Sequence, residues 1–147
     1  MAETVFQGTS AIALDAKGRI TVPVRQRDLL MHACEGRLTL TKHPDGYLWV
    51  LPRQLWETTR ERLMSMSMDA DPWRRVFLGS AVDVEIDGSE RVLVPPELRA
   101  AAGLHKDVLL IGNGRALELW DAGRHAAHES QLLTQPMPVE IRGFVLR

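Results

Sequence analysis

The chain has 147 residues, enough for one ordinary domain or for two halves of roughly 70 residues that must pack on each other to bury a core. Hydrophobic residues make up 45% and charged residues 25% of it, as in soluble globular proteins, and we expect neither a transmembrane span nor a signal peptide. The formal net charge of −1 excludes a bulk attraction for nucleic acid, so any DNA binding has to come from local clusters of basic residues.

The first predicted elements are two short strands joined by a turn. Alternating apolar residues indicate strands on both sides of a turn at 16–18, and Pro23 fits the first turn of a helix, where its missing N–H costs nothing. A second hairpin follows, with strands at 38–41 and 48–51. A helix is then predicted from Pro52 to about Met64.

The middle of the chain predicts a short join and a linker helix. Residues 65–68 read as a flexible join. Asp71 can cap a helix with Pro72 at its first position, Trp73 and other apolar residues lie on one face, and Gly79 ends it.

The second half repeats the order of the first. Residues 82–87 alternate between apolar and acidic, a second strand leads to a helix at 96–102, and a hairpin follows with strands at 108–111 and 116–120. A last helix is expected from about Asp121 to Leu133, and the end of the chain, with Pro136 and Pro138, is expected to be an extended tail. Apolar side chains on the linker and terminal helices are candidate surfaces for self-association.

An internal repeat underlies this order. Asp15, Arg19 and Pro23 recur 72 residues later as Asp87, Arg91 and Pro95, without a gap. A further pair, Arg27 and Arg99, keeps the same spacing. The chain is therefore two copies of one small unit.

The first copy of the motif is basic and geometrically constrained. Lys17 and Arg19 flank Gly18 at a turn, so both can project from a rigid element; arginine suits bidentate contact with a phosphate or a guanine edge, and lysine supplies a point charge. The same residues allow a purely structural interpretation, in which Asp15 and Arg19 pair across the turn and hold the hairpin. The sequence alone leaves both interpretations open.

The paired motif resembles the double signature of the MraZ family. The resemblance covers residues 5–133 and extends to three further segments, Arg74-Arg75-Val76-Phe77-Leu78-Gly79, Ala102-Gly103-Leu104 and Leu119-Trp120-Asp121. It implies an α+β, mainly β fold: a swapped-hairpin (double-split) β-barrel of the AbrB/MazE type, built from two internal repeats with flanking helices. The expected organisation is a first repeat at 1–68, a linker helix at 69–80, a second repeat at 81–133 and a C-terminal tail at 134–147.

The resemblance also implies a function. Members of the family are bacterial transcriptional regulators of the division and cell-wall gene cluster; they assemble into rings and bind direct repeats of short G-rich boxes upstream of their own operon. The expected protein is thus a DNA-binding homo-oligomer located in the cytoplasm and associated with the nucleoid, and the single Cys34, which cannot form an internal disulfide, fits that compartment.

The two copies differ in charge. Ser89 and Glu90 stand where the first copy has Lys17 and Gly18, and Glu97 stands in place of Arg25, so residues 15–27 carry +3 and residues 87–99 carry −1. Because phosphate attraction follows local charge, the first copy is expected to meet DNA and the second mainly to complete the barrel. The predicted DNA-binding residues are Lys17, Arg19, Arg25 and Arg27, with Arg91 and Arg99 weaker; the predicted structural residues of the motif are Asp15, Gly18, Pro23, Asp87 and Pro95.

Other functions are less well supported by the sequence. A protein-binding module of the antitoxin type is the main alternative, but such antitoxins usually carry a long acidic tail, whereas the residues after Gln135 are few and apolar. No acid, base and nucleophile converge as in an enzyme, and no cofactor is expected. His125 and His128 are spaced for a metal but lack suitable companions, and the four tryptophans are expected to be core or interface anchors.

Overall fold

The computed structural model describes residues 4–145 and shows a mixed α+β chain whose strands pair antiparallel. The strands are β1 Thr9–Ala13, β2 Arg19–Thr21, β3 Arg37–Lys42, β4 Leu48–Pro52, β5 Val82–Glu85, β6 Arg91–Leu93, β7 Asp107–Asn113 and β8 Ala116–Asp121. The helices are α1 Val24–Cys34, α2 Arg53–Met64, α3 Asp71–Ser80, α4 Pro96–Ala101, α5 Ala122–Leu132 and α6 Val139–Val145, and a 3₁₀ turn, Met68–Ala70, precedes α3. None of the helices in this described part is long and apolar enough to cross a membrane.

The two repeats exchange strands. One six-stranded antiparallel sheet has the order β1-β7-β8-β4-β3-β5, and β2 and β6 form a separate two-stranded ribbon. In the large sheet β1 of the first repeat pairs with β7 of the second, from Thr9 opposite Ile111 to Ala13 opposite Asp107. At the opposite edge β5 of the second repeat pairs with β3 of the first. Each repeat therefore completes the sheet of the other.

The larger of two apolar clusters joins the two repeats. Ile20 and Val22 of the first copy and their counterparts Val92 and Val94 of the second are buried in one cluster. The partly buried residues packed against it include the expected inward-facing positions of β1 and β5, among them Ile12 and Val84. The alternation predicted for residues 82–87 is confirmed, because the apolar side chains face this core and the acidic ones are exposed.

The ends of the helices differ in detail from the sequence prediction. Pro23 is the residue before α1 rather than part of its first turn, whereas Pro96 is the first residue of α4. Asp71 does not cap α3; it is the first helical residue and its carboxylate accepts a hydrogen bond from Arg75 at 3.0 Å. Gly79 does not end α3, which runs on to Ser80, where the hydroxyl donates to the carbonyl of Val76.

The predicted extended tail is wrong for residues 139–145, which form α6. Pro138 lies directly before this helix, and its carbonyl accepts the backbone N–H of Arg142 at 2.9 Å. No proline follows Pro138 in the sequence, so nothing interrupts a helical turn once it has started. Leu146 lies outside the described residues.

Candidate nucleic-acid interface

The two motif turns are built in the same way. The Asp15 carboxylate accepts the backbone N–H groups of Lys17 at 2.9 Å and Arg19 at 2.8 Å. The Asp87 carboxylate does the same for Ser89 and Arg91, at 2.8 Å and 2.9 Å. These are Asx-type turns, in which an aspartate side chain takes the place of a backbone acceptor and fixes the loop.

Electrostatics reinforce this geometry. The backbone N–H of Arg19 is the main reason why the pKa of the Asp15 carboxyl lies below its usual range, and the pKa of Asp87 is lowered in the same way by the N–H of Arg91. The guanidinium of Arg19 also contributes to the lowered pKa of Asp87. Arg19 therefore acts on both turns, which lie at the two ends of the short β2–β6 ribbon.

The ion pair across the first turn between Asp15 and Arg19, which the structural interpretation predicts, is present. Arg19 Nε lies 2.9 Å from Asp15 Oδ2, and the matching Arg91 Nε lies 3.6 Å from Asp87 Oδ2. The bond from Nε to the Asp15 carboxylate fixes the direction of the Arg19 side chain. Its two terminal nitrogens make no hydrogen bond to the residues that the structure describes. The guanidinium is thus oriented and keeps the donors that bidentate recognition uses.

A contact between the repeats sets the two turns apart. Residue 18 and its counterpart, residue 90, each face the arginine of the other repeat's helix. Arg27 Nη1 lies 2.6 Å from Glu90 Oε2, and the Arg27 side chain is only 19% exposed. At the equivalent place Arg99 lies over Gly18, where a Cβ atom would come within 2.6 Å of its guanidinium carbon. Both turn residues have positive φ, 82° at Gly18 and 66° at Glu90, so only the first is free of backbone strain.

We call the surface formed by both turns and these two helix arginines the turn face; its charged members are Asp15, Lys17, Arg19, Arg27, Asp87, Glu90, Arg91 and Arg99. Three of its cations are paired with its three carboxylates. Within residues 4–145, Lys17 and Arg99 form no ion pair, and both lie at Gly18. The positive charge of the turn face therefore concentrates on the first turn.

The predicted site residues do not all converge. Lys17 and Arg19 lie together, as the motif predicts, and Arg99 joins them from the second copy. Arg27 is held by Glu90, a contact that the sequence reading missed. Arg25 lies apart from them, near Gly8 just before β1, where its Nη1 would be 3.8 Å from an added Cβ atom. The signal in the sequence that could have identified the Arg27 contact is Glu90, an acidic residue at the position where the first copy has Gly18.

The other candidate residues occupy structural positions. Trp56 and Trp120 are buried, as expected for core anchors, whereas Trp73 on α3 is 59% exposed. His125 and His128 lie against the Trp120 ring, with centroid distances of 5.2 Å and 4.9 Å. Among the described residues no three His, Cys, Asp or Glu side chains cluster as a metal site would require.

The fold and the turn face define a class: a tandem-repeat α+β protein whose two copies complete each other's sheet and present a pair of Asx turns on one surface. A model of the MraZ family, described as "MraZ protein, putative antitoxin-like", matches residues 5–76 and again residues 77–138. The chain belongs to the MraZ family. It is 58% identical to the transcriptional regulator MraZ of Leptothrix cholodnii and 56% identical to that of Methylibium petroleiphilum, in both cases over 98% of this chain and 99% of the relative. The transcriptional regulator MraZ of Cupriavidus taiwanensis is 54% identical over 95% of this chain and 99% of its own length.

Proposed function

We propose that this chain is a transcriptional regulator that binds double-stranded DNA through the turn face, at repeated G-rich boxes upstream of its own operon in the division and cell-wall gene cluster. The observation that carries the proposal is the first turn: Lys17, Arg19 and Arg99 gather around Gly18, and two of these three cations have no acidic partner in the described chain. A surface of this kind meets DNA despite the net charge of −1. The expected compartment is the cytoplasm, at the nucleoid.

Each of the three cations has a distinct part in this binding. Lys17 is exposed at the tip of the turn and supplies a point charge to a phosphate. Arg19, oriented by Asp15, presents its terminal nitrogens to the O6 and N7 atoms of a guanine, the commonest specific contact in the major groove. Arg99 adds a charge from the other repeat. Because the Asp15 carboxylate already fixes the turn in the free protein, DNA binding costs little further conformational entropy there.

The test is fluorescence anisotropy with labelled duplexes from the region upstream of the protein's own gene, across a salt series. Binding should weaken steeply with salt and be lost on a shuffled duplex of the same composition. Equal affinity for the shuffled duplex would contradict sequence-specific regulation. Absence of any DNA binding would favour the alternative, a protein-binding module of the antitoxin type.

The proposal includes self-association into a ring-like homo-oligomer. One turn face offers three or four phosphate contacts at most, which suits weak binding, whereas several copies on successive boxes gain affinity of roughly 10² or more through effective concentration. Affinity should therefore rise sharply with the number of boxes. A single box bound as tightly as three, or a monomer in light scattering at working concentration, would contradict this part of the proposal.

A further inference from the structure

The helix at the end of the chain lacks a packing surface. Every residue of α6 is exposed, including Phe144 at 74%. A helix of seven residues is too short to be stable alone in water, so its order requires a surface that covers its apolar side.

The side chains of α6 form an amphipathic pattern. Ile141, Phe144 and Val145 follow the i, i+3, i+4 spacing and make one apolar stripe. At 100° per residue, Glu140 borders this stripe on one side and Arg142 on the other, while Val139 lies on the opposite face. The helix therefore offers an apolar ridge between an acid and a base.

An open aromatic groove of about 550 Å³ lies on the body of the protein. We define it by the residues that line its apolar part: His43, Tyr47, Trp49, Leu63 and Phe77. His43 stacks on Tyr47 with ring centroids 4.2 Å apart, and Phe77 meets Trp49 edge-on at 6.1 Å, so its walls are fixed by packing. This volume is in the range of sites that hold apolar ligands or side chains.

Opposite charges border the aromatic groove. Two exposed bases line it, Arg62 of α2 and Arg115, and Arg62 forms no ion pair within the described chain. Beyond His43 and Tyr47 the groove continues into a hollow lined by Asp45 and Glu129, both of which are exposed. The groove thus has bases in its own lining and acids in the adjoining hollow, which are opposite in sign to Glu140 and Arg142 beside the stripe of α6.

We infer that α6 of one copy docks in the aromatic groove of a second copy, with the stripe Ile141, Phe144 and Val145 on the aromatic side chains and Glu140 facing Arg62. This is the helix-in-groove mode of recognition. The connection to α5 contains Pro136 and Pro138, which favour an extended path, and residues 126–145 are all exposed, so the helix projects from its own subunit.

The docking has a definite symmetry. The helix and the groove are different patches, so the contact is heterologous and runs head to tail, which generates a ring when the rotation closes. The inference rests on the self-association in the proposed function and names the surface that carries it. It does not involve the turn face, so each subunit keeps its DNA contacts in the assembly.

The test compares two substitutions on the same helix by light scattering over a dilution series. Phe144→Ser removes the centre of the stripe and should raise the dissociation constant of the assembly by roughly ten-fold or more. Val139→Ser is the matched control, because Val139 is also exposed but lies off the stripe, and it should leave the mass distribution unchanged. Both side chains are outside the core, so the melting temperature of the dissociated subunit should not move.

A charge exchange tests the register. Glu140→Arg and Arg62→Glu should each weaken assembly, and the double variant should restore it. If the wild type is oligomeric and Phe144→Ser is equally so, the docking of α6 is overturned but the proposed ring is not. A monomeric wild type would overturn both, and a lower melting temperature in Phe144→Ser without a change of mass would place the helix in its own groove and overturn the inference.

Discussion

Glu90 should limit the affinity of this protein for DNA. It is held in a strained backbone conformation, with φ of 66°, and its carboxylate neutralises Arg27 at 2.6 Å. Replacing it by the glycine that the first copy has at residue 18 removes the carboxylate and the strain together. We expect Glu90→Gly to free Arg27 and to give the second turn the same unpaired cation that Arg99 provides at the first.

The size of the effect follows from the charge released. One additional phosphate contact makes the slope of log DNA affinity against log salt concentration more negative by about 0.9. At 0.1 M salt this corresponds to a roughly eight-fold higher affinity for DNA. The change in stability should be small. A partly exposed ion pair contributes about 1 kcal/mol or less, and the relief of a left-handed non-glycine residue is worth about 1–2 kcal/mol, offset in part by the greater unfolded-state entropy of glycine.

The assay is anisotropy on a duplex with a single box, so that avidity does not enter. Glu97→Gln is the matched control: it removes one negative charge from the same repeat, at an exposed residue of α4 that has no contact with Arg27. The double variant Glu90→Gly with Arg27→Gln should lose the gain. If the wild type binds DNA, an unchanged affinity and salt slope in Glu90→Gly would contradict this prediction, and so would an equal gain in Glu97→Gln.

Three further predictions concern the motif and the strand exchange. Arg19→Ala should abolish or greatly weaken operator binding with little change in fold, whereas Arg91→Ala should affect DNA binding less and stability more; equal loss of binding at unchanged melting temperature would contradict the difference between the turns. The pKa of Asp15 is lowered in the folded state, so its ionised carboxylate stabilises the fold at pH values above its unfolded pKa, and this stabilisation is lost as the pH falls below about 4. The melting temperatures of wild type and Asp15→Asn should therefore converge in acid. A fragment of residues 1–68 should be unfolded or aggregated in circular dichroism, since β1 and β3 lose their partners β7 and β5; a cooperative monomeric melt would refute this.

Local pattern was enough to predict the elements and the repeat. The alternation at 82–87, the prolines before α1 and α4 and the turn at 43–46 are short-range signals, and the strands and helices lie close to where they indicate. An exchange of strands between the repeats is implied only by the family resemblance, and the particular pairing of β1 with β7 is not predicted, because periodicity does not say which strands are neighbours.

The candidate site was harder to predict. Contacts between the repeats, such as Arg27 with Glu90, join residues 63 positions apart, and their geometry depends on the completed fold. The C-terminal helix α6 was missed because Pro136 and Pro138 suggested an extended segment, although both precede the helix and neither interrupts it. For Arg27 the decisive contact is distant in sequence, whereas for α6 the decisive feature is local, since both prolines precede the first helical residue.

The pairing of β1 with β7 also has a consequence for synthesis. Thr9 pairs with Ile111, so β1 meets its partner only after 102 further residues have been added. At roughly 5–20 residues per second this delay lasts about 5–20 s, during which the first repeat has β3 and β4 to pair but no partner for β1. The nascent chain thus exposes apolar strand surface for seconds, until β7 has been synthesised and can pair with β1.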